Sequence, residues 1–108
     1  MKRNRQPMVV LVTAPGLRAA RKVAKAALRA RAAACANLVP GLESHYWWKG
    51  ALERSAEVLV IFKTTRARLP TLEEVVLEAH PYDTPEFVAL PIDTGNARYL
   101  GWIRDSVG

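Results

Sequence analysis

Three observations predict an α+β fold: four short apolar runs of strand character, two longer segments of helical periodicity, and the order in which they alternate. The chain has 108 residues, 50% of them hydrophobic and 24% charged, which is the balance of a folding chain rather than a disordered one. A boundary inside this length would leave two fragments too small for good cores, so residues 8–108 read as one domain behind a basic, disordered tail at 1–7.

Met8-Val9-Val10-Leu11-Val12 is a continuous apolar run ending at Thr13-Ala14-Pro15-Gly16. It predicts a buried, central strand followed by a turn. From Leu17 to about Ala33, the residues Ala20, Val23, Ala24, Ala27 and Leu28 recur at helical spacing. Arg18, Arg21, Lys22, Lys25 and Arg29 take the other side, giving an amphipathic helix whose alanines let it lie close to a sheet. Ala36 to Trp48 reads as a second strand, bent at Pro40-Gly41, where a ladder donor is missing. Lys49-Gly50 is a hairpin turn into a third strand, Ala51 to about Thr64, which contains the run Val58-Leu59-Val60-Ile61-Phe62 with apolar residues on both faces.

Thr65 to Ala79 carries Leu69, Leu72, Val75, Val76 and Ala79 on one side and predicts a second helix. Thr71 with Glu74 fits a capping box, Pro70 is tolerated in a first turn, and His80-Pro81 ends the helix. Phe87 to Ile92 is a fourth strand, with Pro91 marking an edge or bulge. After Gly95-Asn96, Tyr99, Leu100, Trp102 and Ile103 form the apolar set of a short closing helix.

This order is that of the split, ferredoxin-like βαββαβ sandwich with an additional C-terminal helix. Right-handed crossovers put both main helices on one face of the sheet, leaving the other uncovered. Exposing two or three large apolar side chains there forgoes roughly 1.5–3 kcal/mol each, so the open face is expected to meet another subunit. Cyclic closure is favoured because it removes strand edges, without deciding between two subunits and three. Trp47, Trp48, Val60, Ile61 and Trp102 are the expected interface residues.

The net charge is +6, and the first 42 residues hold nine Lys and Arg with no acid. Such a block suits a solvated helix face and a tail as well as an acidic partner. Cys35 is the sole cysteine, which excludes an intrachain disulfide and points to a reducing compartment. No apolar run approaches the roughly 20 residues of a membrane helix, so a cytoplasmic protein is expected.

Several segments together resemble the CutA divalent-cation-tolerance family: Ala33-Ala34-Cys35-Ala36-Asn37-Leu38-Val39-Pro40, Tyr46-Trp47-Trp48-Lys49-Gly50, Lys63-Thr64, His80-Pro81-Tyr82, Pro85-Glu86, and Gly95 with Tyr99-Leu100 and Trp102. They follow the family's order and spacing from about Val9 to Ile103. The resemblance implies a ferredoxin-like subunit in a tight homotrimer linked to copper and divalent-metal tolerance. His45 departs from the family, which usually has an apolar residue before its tyrosine, and the additional cysteines that some members carry are missing.

His80, Tyr82 and Glu86 gather around a proline-bounded turn. Imidazole and thiolate suit copper or zinc, and a carboxylate accepts many divalent ions, so Cys35, His80 and Glu86 are the candidate metal ligands. No CxxC, HxH or HExxH spacing fixes the set. The competing structural roles are a packed Cys35, a His80 at the helix C-terminus, and a Glu86 that accepts backbone hydrogen bonds. Tyr46, Glu57, Lys63 and Tyr82 are the candidate cleft residues, with Lys63 as a cation for an anionic ligand or as a salt-bridge partner across subunits.

The sequence points to a non-enzymatic, trimeric divalent-cation (copper) tolerance protein with metal or small-ligand sites at subunit clefts, requiring no cofactor. The alternative is a PII-like signalling module holding a small anionic ligand between subunits, a reading by fold analogy. Nucleic acid is not expected, because an RNA-recognition module needs stacking aromatics where Val58 to Ile61 are aliphatic.

Overall fold

A computed structural model describes residues 2–108. Its elements are β1 (Pro7–Ala14), α1 (Leu17–Arg29), β2 (Cys35–Trp48), β3 (Ala51–Thr65), α2 (Leu69–Ala79), β4 (Val88–Pro91) and α3 (Ala97–Val107). Short 3-10 turns occupy Lys2–Arg5 and Arg66–Arg68. One four-stranded sheet has the order β2-β3-β1-β4, with every neighbouring pair antiparallel. Of the expected tail, Met1 lies outside the described residues. The boundary falls earlier than Met8, because Pro7 pairs with Thr65 and the Gln6 side chain donates to the Ile92 carbonyl at 2.9 Å.

The core follows from strand alternation. Val10, Val12 and Ala14 of β1 and Val58, Val60 and Phe62 of β3 are buried in one cluster with Ala20, Val23 and Ala27 of α1 and Leu72 and Val76 of α2. The small side chains of α1 let its axis approach the sheet, and each large apolar group buried there contributes about 1.5–3 kcal/mol. Val60 therefore belongs to the subunit's own interior. Its expected place at a subunit boundary is wrong by one step of strand parity.

The odd-numbered residues face the other way. Leu11 and Val9 stand opposite Val88 and Leu90 of β4, and these two β4 side chains remain about half exposed. Leu59 and Ile61 are only partly covered. α3 packs against β3 and β1, burying Ile103 and Val107, and the Asn96 side chain caps it by accepting the Tyr99 N–H at 3.0 Å. Trp102 stays half exposed beside Tyr99.

β1 opposes β3 only between Val58 and Thr65, so the remainder of β2 and β3 projects as a two-stranded ribbon. This gives the molecule a long dimension of 44 Å against 26 and 22 Å. Lys49 and Gly50 both take positive φ, 50° and 78°, the conformation of the two-residue hairpin turn whose twist matches the strands. At the ribbon's root the register slips between Val39 and Leu42, leaving Pro40 and Gly41 unopposed, as the missing proline donor predicts. On the ribbon Trp47 is 71% exposed and its cross-strand partner Leu52 68%.

Two helix ends differ from expectation. α1 stops at Arg29, not near Ala33, in a Schellman motif: Ala32 N–H donates to Ala27 O and Arg31 N–H to Leu28 O. Arg31 holds the left-handed position (φ 56°) that glycine usually takes. Its guanidinium donates to Ser106 O, and Arg68 donates to Ala30 O and Arg31 O. α2 begins at Leu69 with Pro70 in its first turn, so Thr71 and Glu74 lie inside the helix and form no capping box. β4 is also shorter than predicted, and Pro91 sits on an edge strand.

Val60→Lys is expected to prevent folding, because an ammonium would replace an isopropyl group in a closed core at a cost above about 4 kcal/mol. Circular dichroism should show loss of the cooperative thermal transition, not a folded, dissociated protomer.

Candidate functional site

The turn after α2 is pinned to the end of β1 by one imidazole. The Tyr82 N–H donates to His80 Nδ1 at 3.1 Å, so that nitrogen carries no proton, and Nε2–H donates to the Thr13 carbonyl at 2.7 Å. His80 is buried with both ring nitrogens engaged. It is a positioning residue and has no lone pair left for a metal.

The pinned turn aims Tyr82 back over the sheet. Its hydroxyl donates to Glu57 Oε2 at 3.0 Å, and its ring lies 4.8 Å from that of His80. Glu57 is the residue of β3 just beyond the last β1 pair, Ala14 with Val58. Its side chain is only 7% exposed, and Oε1 receives no hydrogen bond from the described residues. Around this carboxylate opens a cleft of about 690 Å³ lined by Tyr46, Trp48, Tyr82, Glu57, Asp83 and Glu86, with Thr13, Ser44, His45, Pro81 and Thr84 completing its wall. Tyr46 is steadied by Ser55 Oγ at 3.2 Å.

The electrostatics are those of an acidic site. Partial burial, the hydrogen bond to Glu57 and the charges of Glu57 and Tyr46 push the Tyr82 phenol up to about 12. Loss of hydration and repulsion by Glu57 raise the Glu86 carboxyl above its ordinary range. Among the described residues the one ion pair is exposed, between His45 Nε2 and Glu43 Oε2 at 2.7 Å.

Of the expected site residues, the structure brings Tyr46, Glu57, Tyr82 and Glu86 together and sets Cys35 and Lys63 apart. Cys35 and Lys63 are register partners, and Lys63 lies six residues along β3 from Glu57, roughly 20 Å at strand rise. Lys63 Nζ donates to Asn37 Oδ1, and Cys35 Sγ lies 3.9 Å from the Tyr99 hydroxyl. Partial burial and the neighbouring thiol raise the Tyr99 phenol. The trio Cys35, His80 and Glu86 is thus not a ligand set within one chain, and among the described residues no three His, Cys, Asp or Glu side chains gather as metal ligands. Sequence reasoning missed Thr13, Ser44, Pro81, Asp83 and Thr84 as cleft residues, and it assigned Trp48, which lines the cleft, to a subunit interface. Thr13 was legible from its position at the end of β1 with the parity of Leu11.

The raised Glu86 carboxyl has a pH consequence. The folded state binds that proton more tightly than the unfolded state, so its contribution to stability is full below the ordinary carboxylate range and is lost as pH rises through the raised value. Glu86→Gln removes the ionised group and should raise the melting temperature by up to roughly 2 °C at pH 7, with the gain vanishing near pH 3.5. Thermal scans of both proteins across that range provide the check.

Comparison with known proteins agrees with this fold. The family profile described as CutA1 divalent ion tolerance protein matches residues 8–106. The divalent-cation tolerance protein CutA of Thermus thermophilus is 49% identical over 100 residues, covering 93% of this chain and 97% of that protein. The chloroplastic CutA 1 protein of Oryza sativa is 46% identical over 92% of this chain, which spans only 56% of the rice protein. The solved structure of the Thermus thermophilus protein superposes with a TM-score of 0.92 at 48% identity, covering 94% of this chain and 99% of that one. No helix among the described residues is long and apolar enough to cross a membrane. The chain belongs to the CutA1 divalent ion tolerance family.

Proposed function

We propose that the chain, folded as one domain that begins before Met8, assembles into a ferredoxin-like homotrimer that serves divalent-cation tolerance, with a cation-binding cleft at each subunit boundary and no catalysis of its own. The observation that carries this reading is Glu57, a buried carboxylate with one oxygen free of protein partners, in one cleft with Glu86, whose proton affinity is raised by loss of hydration and by the charge of Glu57. A cation relieves that repulsion, whereas an anion adds to it.

Assembly is supported by the sheet face that leaves Leu59 and Ile61 only partly covered and Val88 and Leu90 about half exposed. The number three comes from the family resemblance. Copper or another divalent cation is the expected ligand, but one chain does not offer the nitrogen and sulfur donors of a tight copper site. Two carboxylates suit a hydrated, weakly held ion, completed by water or by a neighbouring subunit. The PII-like alternative loses support, since its proposed cation Lys63 lies away from an acidic cleft. A cytoplasmic setting is consistent with the free thiol of Cys35, although the rice relative is named as chloroplastic.

Titration calorimetry of metal-free protein with copper should show binding at least about tenfold weaker in Glu57→Gln and Glu86→Gln, and unchanged in Cys35→Ala. Equal binding in all four proteins would remove the cleft from the function. Ile61→Lys should leave a folded protomer that no longer assembles, read by sedimentation velocity. A persisting trimer would count against the open sheet face as the interface.

A further inference from the structure

We infer that the cleft binds a small organic ammonium ion, whose N–H groups donate to Glu57 and Glu86 while its alkyl body packs on Tyr46, Trp48 and Tyr82. The inference rests on the reading of this cleft as a cation site and assigns the chemistry of its ligand.

Size is the first argument. A metal ion needs several donors converging at about 2.0–2.6 Å, and its whole coordination sphere occupies a small part of a cleft of about 690 Å³. That volume is typical of sites for small organic molecules. The second argument is the donor set, in which no three His, Cys, Asp or Glu side chains converge among the described residues. An ammonium ion makes no such demand, because its N–H groups reach separate acceptors at ordinary hydrogen-bond length.

The walls supply the third argument. Tyr46, Trp48 and Tyr82 each keep more than a third of their surface exposed. Aromatic faces attract ammonium groups through the ring quadrupole and cover methylene chains, two services that a hydrated metal ion uses poorly. The Trp48 ring already meets such a group, since Lys49 Nζ lies 5.8 Å from its centroid. The floor completes the recognition. Glu57 is fixed by Tyr82 through Oε2 and presents Oε1 without a protein donor, while the one ion pair among the described residues involves neither Glu57 nor Glu86 nor Asp83. Asp83 lines the same cleft and offers a further carboxylate to a second ammonium group, so an α,ω-diamine is the ligand to test.

The test is titration calorimetry of the full, metal-free chain with 1,4-diaminobutane, with butan-1-ol as the neutral probe. The diamine is expected to bind in the submillimolar range and the alcohol to give no binding heat. Glu57→Gln and Glu86→Gln should each weaken the diamine about tenfold, and Trp48→Leu about fivefold. Circular dichroism confirms that each variant is folded, and Glu86→Gln, at an exposed position, keeps the test open should Glu57→Gln fail to fold. Copper binding that depends on Glu57 and Glu86 without any diamine binding would overturn the ammonium assignment and leave the cation site standing. Absence of both ligands would overturn both readings, and diamine binding indifferent to all three substitutions would place the ligand elsewhere.

Discussion

The structure depends on a mismatch of strand lengths. β3 runs for 15 residues and β1 for 8, so the sheet that supports the helices ends at the Ala14–Val58 pair while β2 and β3 continue. Glu57 sits at that step. On the core side of the step, the odd face of β3 carries Leu59 and Ile61; beyond it, the same face carries Glu57, Ser55 and Glu53 beside Tyr46 and Trp48. One strand thus carries an apolar surface on one side of the step and a polar, aromatic surface on the other. The Thr13 carbonyl near the end of β1 is the anchor by which His80 folds the following turn over the junction.

Most of the fold was legible because its signals are periodic. The Val58–Phe62 run, the alanine face of α1, and the Pro40-Gly41 interruption each gave the correct element and position, since parity, helical spacing and a missing N–H are local properties. The end of α1 was not legible. Its left-handed residue is Arg31, whose carbonyl accepts from Arg68 and whose guanidinium donates to Ser106 O, partners 37 and 75 residues away in sequence. Val60 was misassigned because a continuous apolar run does not reveal which parity lies under the helices. Buried Ala14 and the helix-facing cluster decide it.

The site was half legible for the same reason. Tyr46, Glu57, Tyr82 and Glu86 were nominated from residue type and local setting, and the fold gathers them. His80 was nominated as a ligand because an imidazole beside a proline-bounded turn is chemically versatile, yet its two hydrogen bonds use the ring as a bracket. Within one chain, Cys35 and Lys63 lie apart from these four. In a sheet, residues of one parity share a face but not a location, and six positions along a strand separate two environments entirely.

Charge gives the last link between sequence and function. The chain is basic as a whole, but every acid follows residue 42, after α1 has formed a layer whose exposed side is rich in Arg and Lys. Five of those acids, Glu43, Glu53, Glu57, Asp83 and Glu86, fall on the ribbon or in the turn beside it. The net charge therefore misrepresents the site. Within a Debye length of about 10 Å, a ligand at the cleft responds to the nearby carboxylates far more than to guanidinium groups on the far side of the sheet. A positively charged protein can in this way present a cleft lined by carboxylates, with Glu57, 7% exposed, among them.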